Sequence, residues 1–138
     1  MDISLQPVES WQAEDRSWLA SQHGTDSMQT VTLANATFTQ NTHYPNGFVP
    51  SGTVLGKITA AGATQGMYGP YDNAATDGRQ TAVGFLYSNT KLVAGGKNVG
   101  APIHWHGAVW AARLPLQAGT GSLDAAGQTD LAAKFWIK

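Results

Sequence analysis

The chain has 138 residues, a formal net charge of -1, 12% charged residues and no cysteine. That length suits one domain able to bury roughly two-thirds of the surface its unfolded chain exposes, while the missing thiols exclude disulfides, thiolate catalysis and cysteine-based zinc sites. The charged share is about half the usual one and its few Lys and Arg form no basic stripe, so nucleic-acid binding is disfavoured and association with itself or a partner is expected.

Residues 1–28 carry most of their apolar content in Leu5, Val8, Trp11, Trp18 and Leu19, among acids, Ser and Gln. No basic, then apolar, leader is visible and no window reaches the roughly 20 apolar residues of a membrane span. The expectation is a soluble chain made in the cytoplasm. Trp11 and Trp18 are seven apart, on one face if the segment is helical. The segment reads either as a terminus without fixed structure or as an arm whose tryptophans dock elsewhere. Two large exposed indoles are costly without a partner, which favours the arm. His23 to Asp26 then reads as a hinge, and 29–138 as a β-rich domain.

From Gln29, Val31 and Leu33 alternate with Thr30 and Thr32 at the period of a strand with one buried face. Tyr44 to Gly52 is punctuated by Pro, Asn-Gly and Ser-Gly and predicts a turn-rich connection. Thr53 to Thr59 predicts a strand interrupted by Gly56, which suggests a bulge or a close backbone approach. A long loop of Gly, Ala, Asp and Asn leads to a further strand, Thr81 to Tyr87. Leu92 to Ala101 reads as a loop and Ile103 to Ala111 as one strand, ended by Leu114-Pro115. Ser122 is the expected cap of a short helix from Leu123 to about Lys134, weakened by Gly127. Phe135 to Ile137 reads as a short apolar strand.

The sharpest chemical candidate is the pair His104 and His106. Two histidines at i and i+2 on one strand face can both reach a metal, as in cupin-type barrels. No carboxylate lies close in sequence, so a third ligand would have to come from His23, His43, Asp72 or Asp77. Two polar residues on the outer side of an edge strand explain the pair more simply, and no metal is expected. Asp72, Asp77 and Arg79 in YDNAATDGR match a calcium loop poorly, and Asp77-Gly78 is better explained as a tight turn. No nucleophile elbow, P-loop or dinucleotide motif occurs, so neither an enzyme nor a cofactor is expected. The runner-up is a small metal-dependent cupin-like β-barrel enzyme using His104 and His106.

Six segments carry a resemblance: EDRSWL (Glu14 to Leu19), HGTD (His23 to Asp26), THYPNGFVPSGTVLGKIT (Thr42 to Thr59), YGPYDNAATDGRQTAVGFL (Tyr68 to Leu86), HGAVWAARLP (His106 to Pro115) and LDAAGQTDLAAKFWI (Leu123 to Ile137). Through them the chain resembles the head decoration, or capsid-stabilising, proteins of tailed phages related to the lambda decoration protein, in a branch from phages of actinobacteria. The resemblance implies a compact, mainly β, β-tulip-like domain with a short C-terminal helix and an extended N-terminal arm. It further implies a homotrimer on the outer surface of the expanded head, bound to the major capsid protein at local threefold axes and stabilising the shell against packaged DNA. In that reading 1–28 is the capsid-binding arm, with Trp11, Arg16, Trp18 and Leu19 as its contacts. Tyr44, Pro45, Phe48, Tyr68, Tyr71, Asp72, Asp77 and Arg79 are candidate trimer or capsid contacts. A tail or other virion β-domain is a further possibility.

Overall fold

A computed structural model describes residues 14–138. In chain order the elements are β1 (Gln29–Leu33), a 3-10 turn (Asn35–Thr37), α1 (Gln40–His43), β2 (Phe48–Val49), β3 (Val54–Lys57), β4 (Tyr68–Pro70), β5 (Ala82–Leu86), β6 (Thr90–Lys91), β7 (Val99–His104), β8 (Gly107–Val109), a second 3-10 turn (Ala111–Arg113), α2 (Ala125–Leu131) and β9 (Phe135–Ile137). The protein is mainly β with a short C-terminal helix, as the sequence predicts. Five strands close into a barrel in the order β1-β4-β3-β5-β7, while β2 pairs with β6 and β8 with β9.

β3, β5 and the end of β7 are buried on both faces. Leu86 lies opposite Ile103, whereas their neighbours Phe85 and His104 face each other one step along, with Val54 opposite Phe85 on the other side. Successive strand residues point to opposite faces, so two cores result. Val31, Leu33, Leu55, Leu86, Ala101 and Ile103 fill the barrel, closed off by Phe38, Tyr44, Val49 and Leu92. Outside it, Val54, Ala82 and Phe85 form a floor covered by Trp18, Val109, Leu114, Leu131 and Phe135. Each Val, Leu, Ile or Phe among them, fully buried, stabilises the fold by about 1.5–3 kcal/mol in transfer terms.

Gly56 is the bulge the sequence predicts: the β3–β5 register shifts between Leu55 and Gly56. A Cβ there would lie 2.7 Å from the Arg79 backbone, so the close approach demands glycine. Three local expectations are corrected. Ile103 to Ala111 is two strands: β7 ends at His104, Trp105-His106 turns the chain, and Gly107 restarts it at φ +149°. The stretch expected as a loop supplies the start of β7, since Val99 to Gly100 already pair with β1. The helix is shorter, and its cap is Asp124, whose carboxylate accepts from the Gly127 amide at 2.7 Å, while the Ser122 hydroxyl donates to Gly119 O. Gly127 persists in the helix because the Tyr71 ring packs against it, 3.2 Å from where a Cβ would sit.

Candidate functional site

Residues 14–20 form a strap laid along β8. Ala20 N–H donates to Ala108 O at 3.0 Å and Trp110 N–H to Trp18 O at 2.7 Å, and Leu19 bridges Val109 in antiparallel sense. β9 runs parallel to β8 on its other side. The strap therefore belongs to the body, although the sequence places it within an arm spanning 1–28.

Trp18 accounts for that difference. Its indole is 0% exposed and lies 5.5 Å from the Phe85 ring and 5.8 Å from the His104 ring, centre to centre. Its Nε1–H donates to the Ser51 hydroxyl at 3.2 Å, and that hydroxyl donates to Tyr87 O at 2.6 Å. An indole expected to seek a partner surface finds one in its own chain: the floor of the second core supplies apolar rings and one acceptor, which is what a tryptophan needs. Trp11, the companion expectation, lies outside the described residues. Arg16 ties down the strap's start, paired with Glu14, donating to the Ser88 hydroxyl at 3.2 Å and lying 4.0 Å over the Tyr87 ring. Glu14 in turn accepts from the Asn89 amide at 2.9 Å.

The other expected contacts divide by burial. Tyr44 sits in the barrel core and Tyr71 in the second core. The Tyr71 hydroxyl donates to Asp124 at 2.8 Å, and burial together with that carboxylate pushes its phenol above the ordinary range. Both tyrosines are thus structural in this chain. Pro45 is exposed, and Phe48, Tyr68, Asp72, Asp77 and Arg79 are half-buried. Asp72 accepts from the Ala74 amide at 3.0 Å and closes its own turn. Asp77 pairs with Arg79 at 3.0 Å; although burial pushes the other way, the hydrogen bonds and charge of Arg79 hold its carboxyl below the usual value. A hollow beside this loop is lined by Tyr71, Asp72, Asn73, Gln117, Thr120 and Asp124.

The histidines do not assemble as a cupin pair. His104 is 0% exposed and faces the second core, enclosed by Trp18, Phe85, Tyr87 and Phe135, and neither ring nitrogen has a hydrogen-bond partner. Burial, with lesser contributions from His106 and His23, lowers its pKa to about 4. His106 lies beyond the strand end against His23, ring centres 5.1 Å apart. Among the described residues no three His, Asp or Glu side chains come together as a metal site. His104 is therefore neither solvent-facing nor on an edge strand, contrary to expectation, because β7 is inside a closed ring.

One surface feature goes unmarked in the sequence. Trp136 is 69% exposed, and side chains alternate between ring and cation beside it: the Lys138 ammonium lies 4.6 Å from the Trp136 ring centre and 4.9 Å from that of Trp110, and the Arg113 guanidinium lies 5.2 Å from Trp110 on the next step. Phe135-Trp136-Ile137 reads as a short apolar strand, and the alternation of β9 sends Phe135 and Ile137 inward and the indole between them outward. Arg113 also donates to Ser17 O at 3.4 Å, so this row meets the strap.

Comparison with curated proteins gives no match, nor does comparison with solved structures. A family model spanning the strap, the barrel and β9 up to its first residue does match, over residues 12–135. On that match the chain belongs to the bacteriophage lambda head decoration protein D family, structural proteins of the phage head.

Proposed function

We propose that the protein is a homotrimer that binds the outer surface of the expanded phage head at local threefold axes, contacts the major capsid protein and stabilises the shell against the pressure of packaged DNA. The family match over residues 12–135 carries this reading. The protein is made in the host cytoplasm and joins the head after expansion.

The strap refines the division of labour expected for 1–28. Residues 1–13 are the capsid-binding arm, with Trp11 as its apolar contact, and Glu14 to Ala20 are its root. Leu19 and Arg16 act at that root and Trp18 is the plug that fastens it. An extended arm adding a strand to a capsid edge gains main-chain hydrogen bonds for affinity and side-chain pockets for specificity. Three arms per trimer raise the effective concentration of the second and third, so that individually weak contacts hold firmly. Pro45, Phe48, Tyr68, Asp72, Asp77 and Arg79 supply exposed or half-exposed groups for subunit or capsid contact.

The decisive experiment adds purified protein to expanded empty shells assembled without it, and measures native mass, occupancy by electron microscopy and the shell's resistance to heat. Trimers at threefold positions and a more heat-resistant shell are expected. A monomer that leaves such shells bare refutes the proposal.

A further inference from the structure

Resting on the capsid-decoration reading, we infer that the Trp136–Lys138–Trp110–Arg113 row and the outer edge of β9 form a docking surface for an extended, acidic segment of the shell protein. Three observations converge on it. The first is main-chain geometry. β9 bonds to β8 through Lys134 O, which accepts from Gly107 N, and through Lys138, whose amide donates to Val109 O and whose carbonyl accepts from Ala111 N. In a parallel ladder alternate residues face a given neighbour, so Ile137 turns its N–H and C=O the other way, and among the described residues no strand pairs with that side. An extended partner can add there, as strands add to open sheet edges.

Side-chain chemistry is the second. Tryptophan and arginine are the residues that dominate interface energetics, and Trp136 offers an indole more than half exposed beside them. Charge is the third. Arg113 and Lys138 are two of the chain's eight basic residues, and the only ion pairs among the described residues are Arg16–Glu14 and Arg79–Asp77. The Asp15 carboxyl feels the Arg113 charge, from outside pairing distance. The surface thus presents unneutralised cations stacked on rings beside open backbone groups, which complements carboxylates on an extended chain. It also flanks the root from which residues 1–13 depart, so arm and row engage the same partner side by side.

The test uses the full chain and expanded shells made without it. Trp136→Ala is expected to weaken binding at least tenfold, and the double reversal Arg113→Glu, Lys138→Glu by a larger factor that shrinks as salt is raised. Ile137→Pro removes the outward N–H and spares the bonds to β8, and it too is expected to lower occupancy. Hydrogen exchange at the Ile137 amide should slow at least tenfold on the shell. Thermal melts and native mass show that each variant is folded and assembled.

Unchanged occupancy for the folded Trp136→Ala and double-reversal variants overturns the inference. So does an Ile137 amide already protected in the free protein, which means the edge is covered by the chain itself, or a loss of native mass in Trp136→Ala, which makes the row a subunit contact. If the unaltered protein leaves shells bare, the decoration reading falls with it. Binding that survives all three variants sinks the docking surface alone.

Discussion

Acidification should weaken this fold, chiefly through His104. His104 is wholly buried with both nitrogens unpartnered, so the folded state resists its protonation, whereas in the unfolded chain it titrates at its ordinary 6.5. A base whose folded pKa is depressed leaves the unfolded state holding more protons as pH falls, so stability is intact above 6.5 and drains away down to about 4. The full span corresponds to about 3 kcal/mol, and the part incurred by pH 5 to about 2 kcal/mol. The control is His104→Leu, of similar volume, which removes the orphaned nitrogens and costs little because both polar atoms disappear together. Urea melts at pH 7.5 and pH 5, at fixed protein concentration, should show the unaltered protein losing about 2 kcal/mol more than the variant, with equal m values. His43, which burial also depresses, is common to both and cancels. The carboxyls of Asp15 and Asp77, held low by Ser17 and Arg79, titrate below this window. Equal pH slopes for protein and variant would show that His104 finds a proton acceptor or water, and the reasoning would be wrong.

Trp18→Ala should cost about 3–5 kcal/mol in thermal or urea melts, the range for emptying a buried tryptophan site; a loss under 1 kcal/mol would mean the strap is not part of the body. Truncation after Ala13 spares every described contact and should keep the melting temperature, whereas truncation through Gln22 removes Trp18 and should lower it by the same mechanism. Gly107→Ala should destabilise by about 1–3 kcal/mol, since φ is +149° and the added Cβ would lie 2.6 Å from His23 O and 2.7 Å from His104 Nε2; a neutral effect by calorimetry would count against the packing described. Asp124→Ala removes both the cap of α2 and the Tyr71 hydroxyl's acceptor and should cost about 2 kcal/mol, while Asp124→Asn recovers part of it; equal melts for both would refute the shared role.

How much of this was legible follows from what each signal measures. Val31 and Leu33 alternate with exposed threonines because β1 has one wet face, so its period showed plainly. In β3 and β5 both faces are buried, alternation disappears, and nothing local distinguishes a barrel wall from any other apolar run. β2, β4 and β6 are two or three residues long, too short for periodicity, and exist only because a partner from elsewhere in the chain completes them. The cap is Asp124 where Ser122 is expected, because both are good cap types two residues apart; Asp124 also accepts from the Tyr71 hydroxyl, a contact from far along the chain. Trp18 reads as part of an arm because exposed indoles seek cover; the cover comes from Phe85 and Ser51, far along the sequence. Trp136 was hidden for the converse reason, since an apolar triplet does not reveal that its middle member faces out.

Strap and β9 grip opposite edges of β8, and the hydrogen bonds joining Trp18 to Trp110 and Lys138 to Ala111 put the strap's Glu14 end and the outgoing end of β9 at the same rim. Tension applied to both at once, drawing them away from the barrel, runs along the strands, so their rungs are sheared in concert instead of peeled one after another. A tether rooted this way yields abruptly at high force and hardly at all below it.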